Sequence, residues 1–275
     1  MNKNNNCGQD VKARAIDSKS LETRLELNQK YQSKNFHDWL HQRLNVSEDE
    51  HILDVGCGTG AQSLRFLEAL GEQGTVSAID ISSSSVEKLL EVVRGDNRLE
   101  AFTADMADLN KIIEKKFKQK KFTLAHSTYA LYYSPSRLEV IKHMADAIYN
   151  FGRLAVFTPA APHGMVEIAS RFSSIPAAVL ESLEFGPAVL EPELRSLFWE
   201  VEVHFFQSEM RVTALEDFIN FYRATTYFDA SVTDQVRLYA QKEIRENGFV
   251  KYEKNGYLII GRDKKPSLEA NISPQ

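Results

Sequence analysis

Two rhythms of apolar and polar residues run along this chain. Short apolar runs at 51–55, 75–80, 99–105, 122–127 and 152–157 have the length and composition of buried strands. Between them, at 61–70, 82–93, 109–117 and 135–149, apolar residues recur at helical spacing. Gly71 and Gly74 close the first of these helices, Ser82 to Ser85 cap the second, and Pro135 opens the last. Strands alternating with helices in this way predict βαβ units, a parallel sheet and right-handed crossovers. Ahead of this core, Leu21, Leu25, Tyr31, Phe36, Trp39, Leu40 and Leu44 mark one or two amphipathic helices.

The rhythm changes after Thr158. Residues 163–183 read as helix, 193–199 as a short helix and 201–212 as a long strand. Residues 214–247 read as two helices rich in aromatics, and 248–261 as a hairpin-like strand that ends the fold. Residues 1–20 and 263–275 are polar and weakly patterned, the composition of tails. The expected organisation is therefore a tail at 1–20, a helical cover at 21–45 and one domain at 46–262, with helical insertions near 160–185 and 214–247.

Composition narrows the function classes. Of 275 residues, 43% are hydrophobic and 26% charged, as in soluble globular chains. A net charge of −5 argues against a broad nucleic-acid face. The two cysteines, Cys7 and Cys57, form neither a metal spacing nor a disulfide framework, so no metal site is expected. No apolar run approaches the roughly 18 residues of a membrane span. The Asn/Lys-rich start has no hydrophobic segment of a secretory signal, so the expected location is cytoplasmic, without a membrane partner. Oligomeric state is not encoded in any pattern found.

The densest chemistry lies at Ile52-Leu53-Asp54-Val55-Gly56-Cys57-Gly58-Thr59-Gly60. A strand running into alternating glycines and then a helix is how an open α/β sheet brings backbone against a ligand. A dinucleotide fingerprint spaces its glycines G-x-G-x-x-G, and a P-loop requires a Lys after its last glycine; here the spacing is G-x-G-x-G with no Lys. With Asp80 and Asp105 ending the second and third strands, the pattern resembles the class I S-adenosylmethionine-dependent methyltransferases, closely over 46–160 and more loosely afterwards.

That resemblance implies an α/β, Rossmann-like three-layer sandwich with a mostly parallel seven-stranded sheet, the last strand antiparallel, and helical cover insertions. It implies S-adenosyl-L-methionine as cofactor, S-adenosyl-L-homocysteine as product and a small-molecule acceptor. Asp54, Gly56, Cys57, Gly58 and Gly60 would hold the methionine end, and Asp80 the ribose hydroxyls, since a carboxylate accepts two hydrogen bonds. Ile81 would pack on adenine, Asp105 and Met106 would meet its amino edge, and Ser127 and Tyr31 would complete the site. Where the family often reads A-L-H-H, this chain has Ala130-Leu131-Tyr132-Tyr133, a departure that removes a candidate imidazole base. Candidates for acceptor chemistry are His126, Tyr132, Tyr133 and His163.

Plainer roles compete. A strand-ending Asp also caps helices, Asp108 rivals Asp105, tyrosines fill cores, and His37 and His41, four apart, suit a solvated helix face better than a metal. Phe205, Phe206, Phe218, Phe221, Tyr222, Tyr227 and Phe228 suit either a substrate pocket or the core of a helical cover. O-, N-, S- and C-methylation stay open, as do a nicotinamide-dependent oxidoreductase and a non-catalytic cofactor-binding protein of the same fold.

Overall fold

The structure is a computed structural model and describes residues 11 and 13–266. Seven strands form one sheet: β1 (His51–Val55), β2 (Thr75–Asp80), β3 (Leu99–Thr103), β4 (Phe122–Thr128), β5 (Ile148–Pro159), β6 (Phe198–Val212) and β7 (Val250–Lys264). Their order is β3-β2-β1-β4-β5-β7-β6. The first five pair in parallel, and β7 runs antiparallel between β5 and β6. The last strand is antiparallel, as the resemblance implied.

Helices cover both faces because the central strands are apolar on both. Ile52 and Leu53, neighbours on β1, point to opposite sides and are both fully buried. One face packs α2 (Phe36–Leu44), α3 (Ala61–Ala69) and α4 (Ser83–Val92) against the sheet, with Phe66, Leu89 and Phe157 in its core, while α1 (Ser18–Tyr31) sends Leu27 into the core of the insertions. The other packs α5 (Leu109–Lys115) and α6 (Arg137–Ala147), with Leu53, Phe122 and Met144. Phe36 and Trp39 of α2 meet Phe157 and Phe206 edge-on or tilted, at centroid distances of 4.6 to 6.1 Å, which pins the N-terminal helices to the sheet. The buried Glu50 accepts a two-pronged bond from Arg153 (2.8 and 2.9 Å), whose Nη2 also donates to the Leu44 carbonyl at the end of α2.

The insertions build a separate core. Met165 and Ile168 of α7 (Gly164–Ser170) join Phe218, Ile219 and Tyr222 of α10 (Leu215–Ala224), Val236 of α11 (Thr233–Asn247) and Tyr252 of β7. Between them lie α8 (Ala177–Phe185), a π-helical turn (Gly186–Leu190) and α9 (Glu191–Leu197).

Several boundaries differ from the sequence reading. The described part of 1–20 is ordered: residues 13–16 are helical, Val11 is buried, and Asp17 caps α1 by accepting from the Ser20 amide at 2.8 Å. Residues 1–10, 12 and 267–275, the rest of the expected tails, lie outside the described residues. Helix α6 ends at Ala147 and β5 begins at Ile148, earlier than the glycine at 152 suggested. That glycine sits where a Cβ would stand 3.0 Å from the Thr123 carbonyl, beside the register shift between Phe122 and Leu124. The helix expected over 163–183 is broken ahead of Pro176. Trp199 belongs to β6, with β-like alternation prevailing after Leu197. Residues 250–264 form one continuous strand rather than a hairpin, because β5 and β6 supply partners on both edges.

Candidate active site

The glycine loop leaves β1 at Val55 and is anchored across the strand gap: the amides of Gly56 and Cys57 both donate to the Ile79 carbonyl (2.8 and 3.0 Å). Gly58 and Gly60 have φ of +55° and +87°, the left-handed region. They face different surroundings. A Cβ on Gly60 would lie 2.3 Å from Cδ1 of the buried Leu89, whereas one on Gly58 would meet only the tip of Leu21, at 2.9 Å. Gly60 thus packs α3 against α4, and Gly58 turns its bare backbone to a cavity. Cys57 is buried in the core beneath the loop, where burial pushes its thiol well up.

Asp80 stands at the end of β2 and braces the loop. Its Oδ2 accepts from the Gly58 amide at 2.7 Å and its Oδ1 from the Ser82 amide at 2.8 Å. Burial raises its carboxyl above the ordinary value, outweighing those two bonds. Next to it, Ile81 is a partly exposed apolar side chain on the cavity rim. Asp105 caps a short 3-10 turn by accepting from the Ala107 amide at 3.0 Å, and Met106 packs toward Gly56.

Beneath the loop, a buried polar chain fixes Asp54. Cα registry places Asp54 opposite His126 on β4, and the His126 Nδ1 lies 3.0 Å from Asp54 Oδ1. Ser63 of α3 donates to Asp54 Oδ2 at 2.6 Å. His126 Nε2 lies 2.8 Å from the Thr128 hydroxyl, and the Phe66 ring stands edge-on to the imidazole. The chain Ser63–Asp54–His126–Thr128 therefore runs from core to cavity wall, and His126 itself is fully buried. Its place is that of a residue orienting Asp54.

These groups share a cavity of about 290 Å³. Asp54, Gly56, Cys57, Gly58, Asp80, Ile81, Asp105, Met106, Tyr132, Tyr133 and His163 all line it. Gly60, Ser127, His126 and Tyr31 do not. The Ser127 hydroxyl is turned to the Val55 carbonyl at 2.7 Å. The Tyr31 hydroxyl donates to Asp217 Oδ2 at 2.5 Å on α10, together with Lys30, so Tyr31 faces the helical cover, contrary to the expectation of a cofactor contact. The face bearing His37 and His41 is not solvated: both rings are half-buried around Gln62, at 2.9 and 3.2 Å, and burial lowers each to about 4.

The far end of the cavity is aromatic and apolar. Tyr132 and Tyr133 pack with centroids 4.5 Å apart, and burial raises the Tyr132 phenol well above its ordinary value. Val166, Val179 and Leu183 come from the first insertion, Phe221 and Tyr227 from the second. Of the seven aromatics singled out in the sequence, only these last two line the cavity; Phe206, Phe218 and Tyr222 are fully buried core. His163 lies here, lowered to about 4 by burial and then by the charge of Lys254.

Arg24, Tyr129 and Lys254 line the site and were not singled out in the sequence. For Lys254 a signal existed: it falls in phase with the buried Val250, Tyr252 and Leu258 of β7, where a lysine is out of place.

Known methyltransferases are similar to this chain in sequence. Aklanonic acid methyltransferase DauC of Streptomyces sp. (strain C5) is 28% identical over 140 residues, 49% of this chain and 60% of that protein. Methyltransferase GfsG of Streptomyces halstedii is 26% identical over 157 residues, 55% of each. The chain thus spans little more than half the length of these relatives. The crystal structure of YcgJ from Bacillus subtilis shares the fold, with a TM-score of 0.56 at 14% identity over 84% of this chain and 98% of that one. Residues 46–189, just over half of the sequence and the part holding the glycine loop, Asp80 and Asp105, match the family model of a methyltransferase domain, and the chain belongs to that family.

Proposed function

We propose that the protein is a methyltransferase that uses S-adenosyl-L-methionine to methylate a small molecule and releases S-adenosyl-L-homocysteine. The observation that carries this reading is one cavity with two chemically different ends: bare loop backbone with Asp54, Asp80 and Asp105 at one, tyrosines and aliphatic side chains at the other. The residues fit the cofactor. Gly58 offers backbone with no Cβ in the way, Asp80 presents a carboxylate held by two amides, and Ile81 offers an apolar face beside it. In this reading Asp54 and the loop hold the methionine end, Asp80 the ribose, and Ile81, Asp105 and Met106 the adenine.

When bound, the cofactor supplies an electrophilic methyl group whose leaving group is a neutral thioether, so no residue has to protonate it. The chain's task is alignment in a dry site. His126 and Ser63 fix the carboxylate of Asp54, and Thr128 ties that network to the cavity wall. Residues 21–45 and the two insertions cover the site; Leu21, Leu25, Val179 and Phe221 give it apolar walls. The aromatic and aliphatic walls suit a small acceptor better than a nucleic acid, and the relative DauC is named for a small molecule, aklanonic acid. No helix among the described residues is long and apolar enough to cross a membrane, and a cytoplasmic location completes the reading.

The test is calorimetric. Wild-type protein is expected to bind S-adenosylhomocysteine, and not NADH; Asp80→Ala is expected to lose two charge-assisted bonds and at least about tenfold in affinity, since one such bond contributes about 1.5–3 kcal/mol. An Asp80→Ala protein with wild-type affinity refutes the ribose assignment, and a preference for NADH refutes the cofactor.

A further inference from the structure

Lys254 is 9% exposed and stands on β7 at the cavity wall. Its ammonium lies over the rings of Tyr129 and Phe36, 5.2 and 5.5 Å from their centroids, and has no hydrogen bond or ion pair among the described residues. An ammonium is a donor only, with three protons to give. Burying one without an oxygen partner is unfavourable, and such groups concentrate where a ligand completes the site.

Two neighbours in the same wall present buried polar atoms that have no partner among the described residues. The Tyr129 hydroxyl and Nδ1 of His163 are both buried and unpartnered. One kind of ligand group answers all of them, an oxygen that accepts several hydrogen bonds and carries negative charge. The other cation of the cavity, Arg24, comes from α1, whose Leu21 touches Gly58 at the cofactor end; its guanidinium already donates to the Ala224 carbonyl. Lys254 stands instead with His163, which follows β5 on the side of the insertions. The surrounding walls, Tyr132, Tyr227 and Leu183, suit a flat apolar body behind the charged oxygen.

We propose that Lys254 is an acceptor-binding residue, and that the methyl acceptor is an aromatic or similarly flat molecule which presents an anionic oxygen, a carboxylate or a phenolate, to its ammonium and to the Tyr129 hydroxyl. This rests on the methyltransferase reading and narrows its substrate class.

The surroundings make the assignment testable by pH. Burial and the charge of Arg24 lower Lys254 to about 8. The other titratable groups facing it are His163 and His37, both lowered to about 4, Arg24, and Tyr129, whose phenol is raised by burial. Between pH 7 and about 9.5, Lys254 changes charge while His163, His37 and Tyr129 do not.

The experiment titrates protein loaded with S-adenosylhomocysteine, using 2-naphthoate, 2-naphthol and 2-naphthamide as probes. We expect one of the two acidic probes to bind at least about tenfold tighter than the amide at pH 7. A preference for naphthoate identifies a carboxylate acceptor and one for naphthol a phenolate. The preference for naphthoate should shrink, by up to about thirtyfold, as pH rises to about 9.5 and the ammonium deprotonates. Lys254→Met should abolish the preference, Lys254→Arg should keep it and remove its pH dependence, and all three proteins should bind S-adenosylhomocysteine alike. The wild-type pH profile stands even where Lys254→Met does not fold. The assignment is overturned by an amide that binds as tightly as both acids, by a Met variant that keeps the preference, or by one that loses S-adenosylhomocysteine, which would place Lys254 on the cofactor. Failure of the wild type to take up S-adenosylhomocysteine refutes the methyltransferase reading itself.

Discussion

Alanine at Gly60 and alanine at Gly58 should damage different properties, although the two glycines are neighbours in one motif. At Gly60, φ is +87° and the new Cβ would stand 2.3 Å from Leu89 Cδ1, in the packed seam between α3 and α4. A left-handed alanine costs about 1–2 kcal/mol and overpacking a core about 1–3, so roughly 2–5 kcal/mol is expected. At about 2 °C per kcal/mol for a chain of this size, that is a fall of about 4–10 °C in Tm. At Gly58, φ is +55° and the Cβ meets only the flexible end of Leu21, so strain of about 1–2 kcal/mol and a fall of about 2–4 °C are expected. That Cβ projects into the cavity, where it should cost at least about tenfold in S-adenosylhomocysteine affinity. Thermal unfolding of ligand-free protein and calorimetry read the two quantities separately. The reasoning fails if Gly58→Ala keeps wild-type affinity, or if Gly60→Ala unfolds at the wild-type temperature.

Two further outcomes follow from buried charge. Arg153→Met strands Glu50, whose side chain is 7% exposed, and should cost about 3–5 kcal/mol in chemical denaturation; a loss below about 1 kcal/mol would show that water reaches Glu50. His37, His41 and His163 are lowered to about 4 from an ordinary 6.5, so the unfolded chain takes up their protons first. Their contribution to stability is full above about pH 6.5 and is lost as pH falls toward about 4, and a denaturation midpoint flat between pH 7 and 5 would contradict their burial.

The glycine loop and the strand-end acids of the proposed cofactor half were legible because their signals are local. Asp54, Gly56 and Gly58 sit within one strand and turn, and Asp80 and Asp105 lie at the ends of strands whose apolar runs stand out. The other half depends on rotation and distance. Helical spacing correctly put Tyr31 on an amphipathic helix, but not which way it faces, and an Asp on α10, remote in sequence, claims its hydroxyl. The aromatics at 205–228 have one composition and several fates, from the exposed Phe205 to the fully buried Tyr222. Lys254 carried a signal, its phase with Val250, Tyr252 and Leu258, but the groups around it, Phe36 and Tyr129, come from remote parts of the chain.

The place of β7 between β5 and β6 bears on the order in which the protein becomes competent. Strands β1 to β4 can pair from residues 51–128 alone, and they carry the loop, Asp80 and the Asp54–His126 pair. Strand β6 has only β7 as its sheet neighbour, so it must wait for residues 250–264, and β5 keeps an open edge until the same moment. Gly58 and Lys254 stand about 200 residues apart in sequence, and closing such a distance is a slow step of folding. The glycine loop, Asp80 and the Asp54–His126 pair can thus take their places before the wall that carries Lys254 exists.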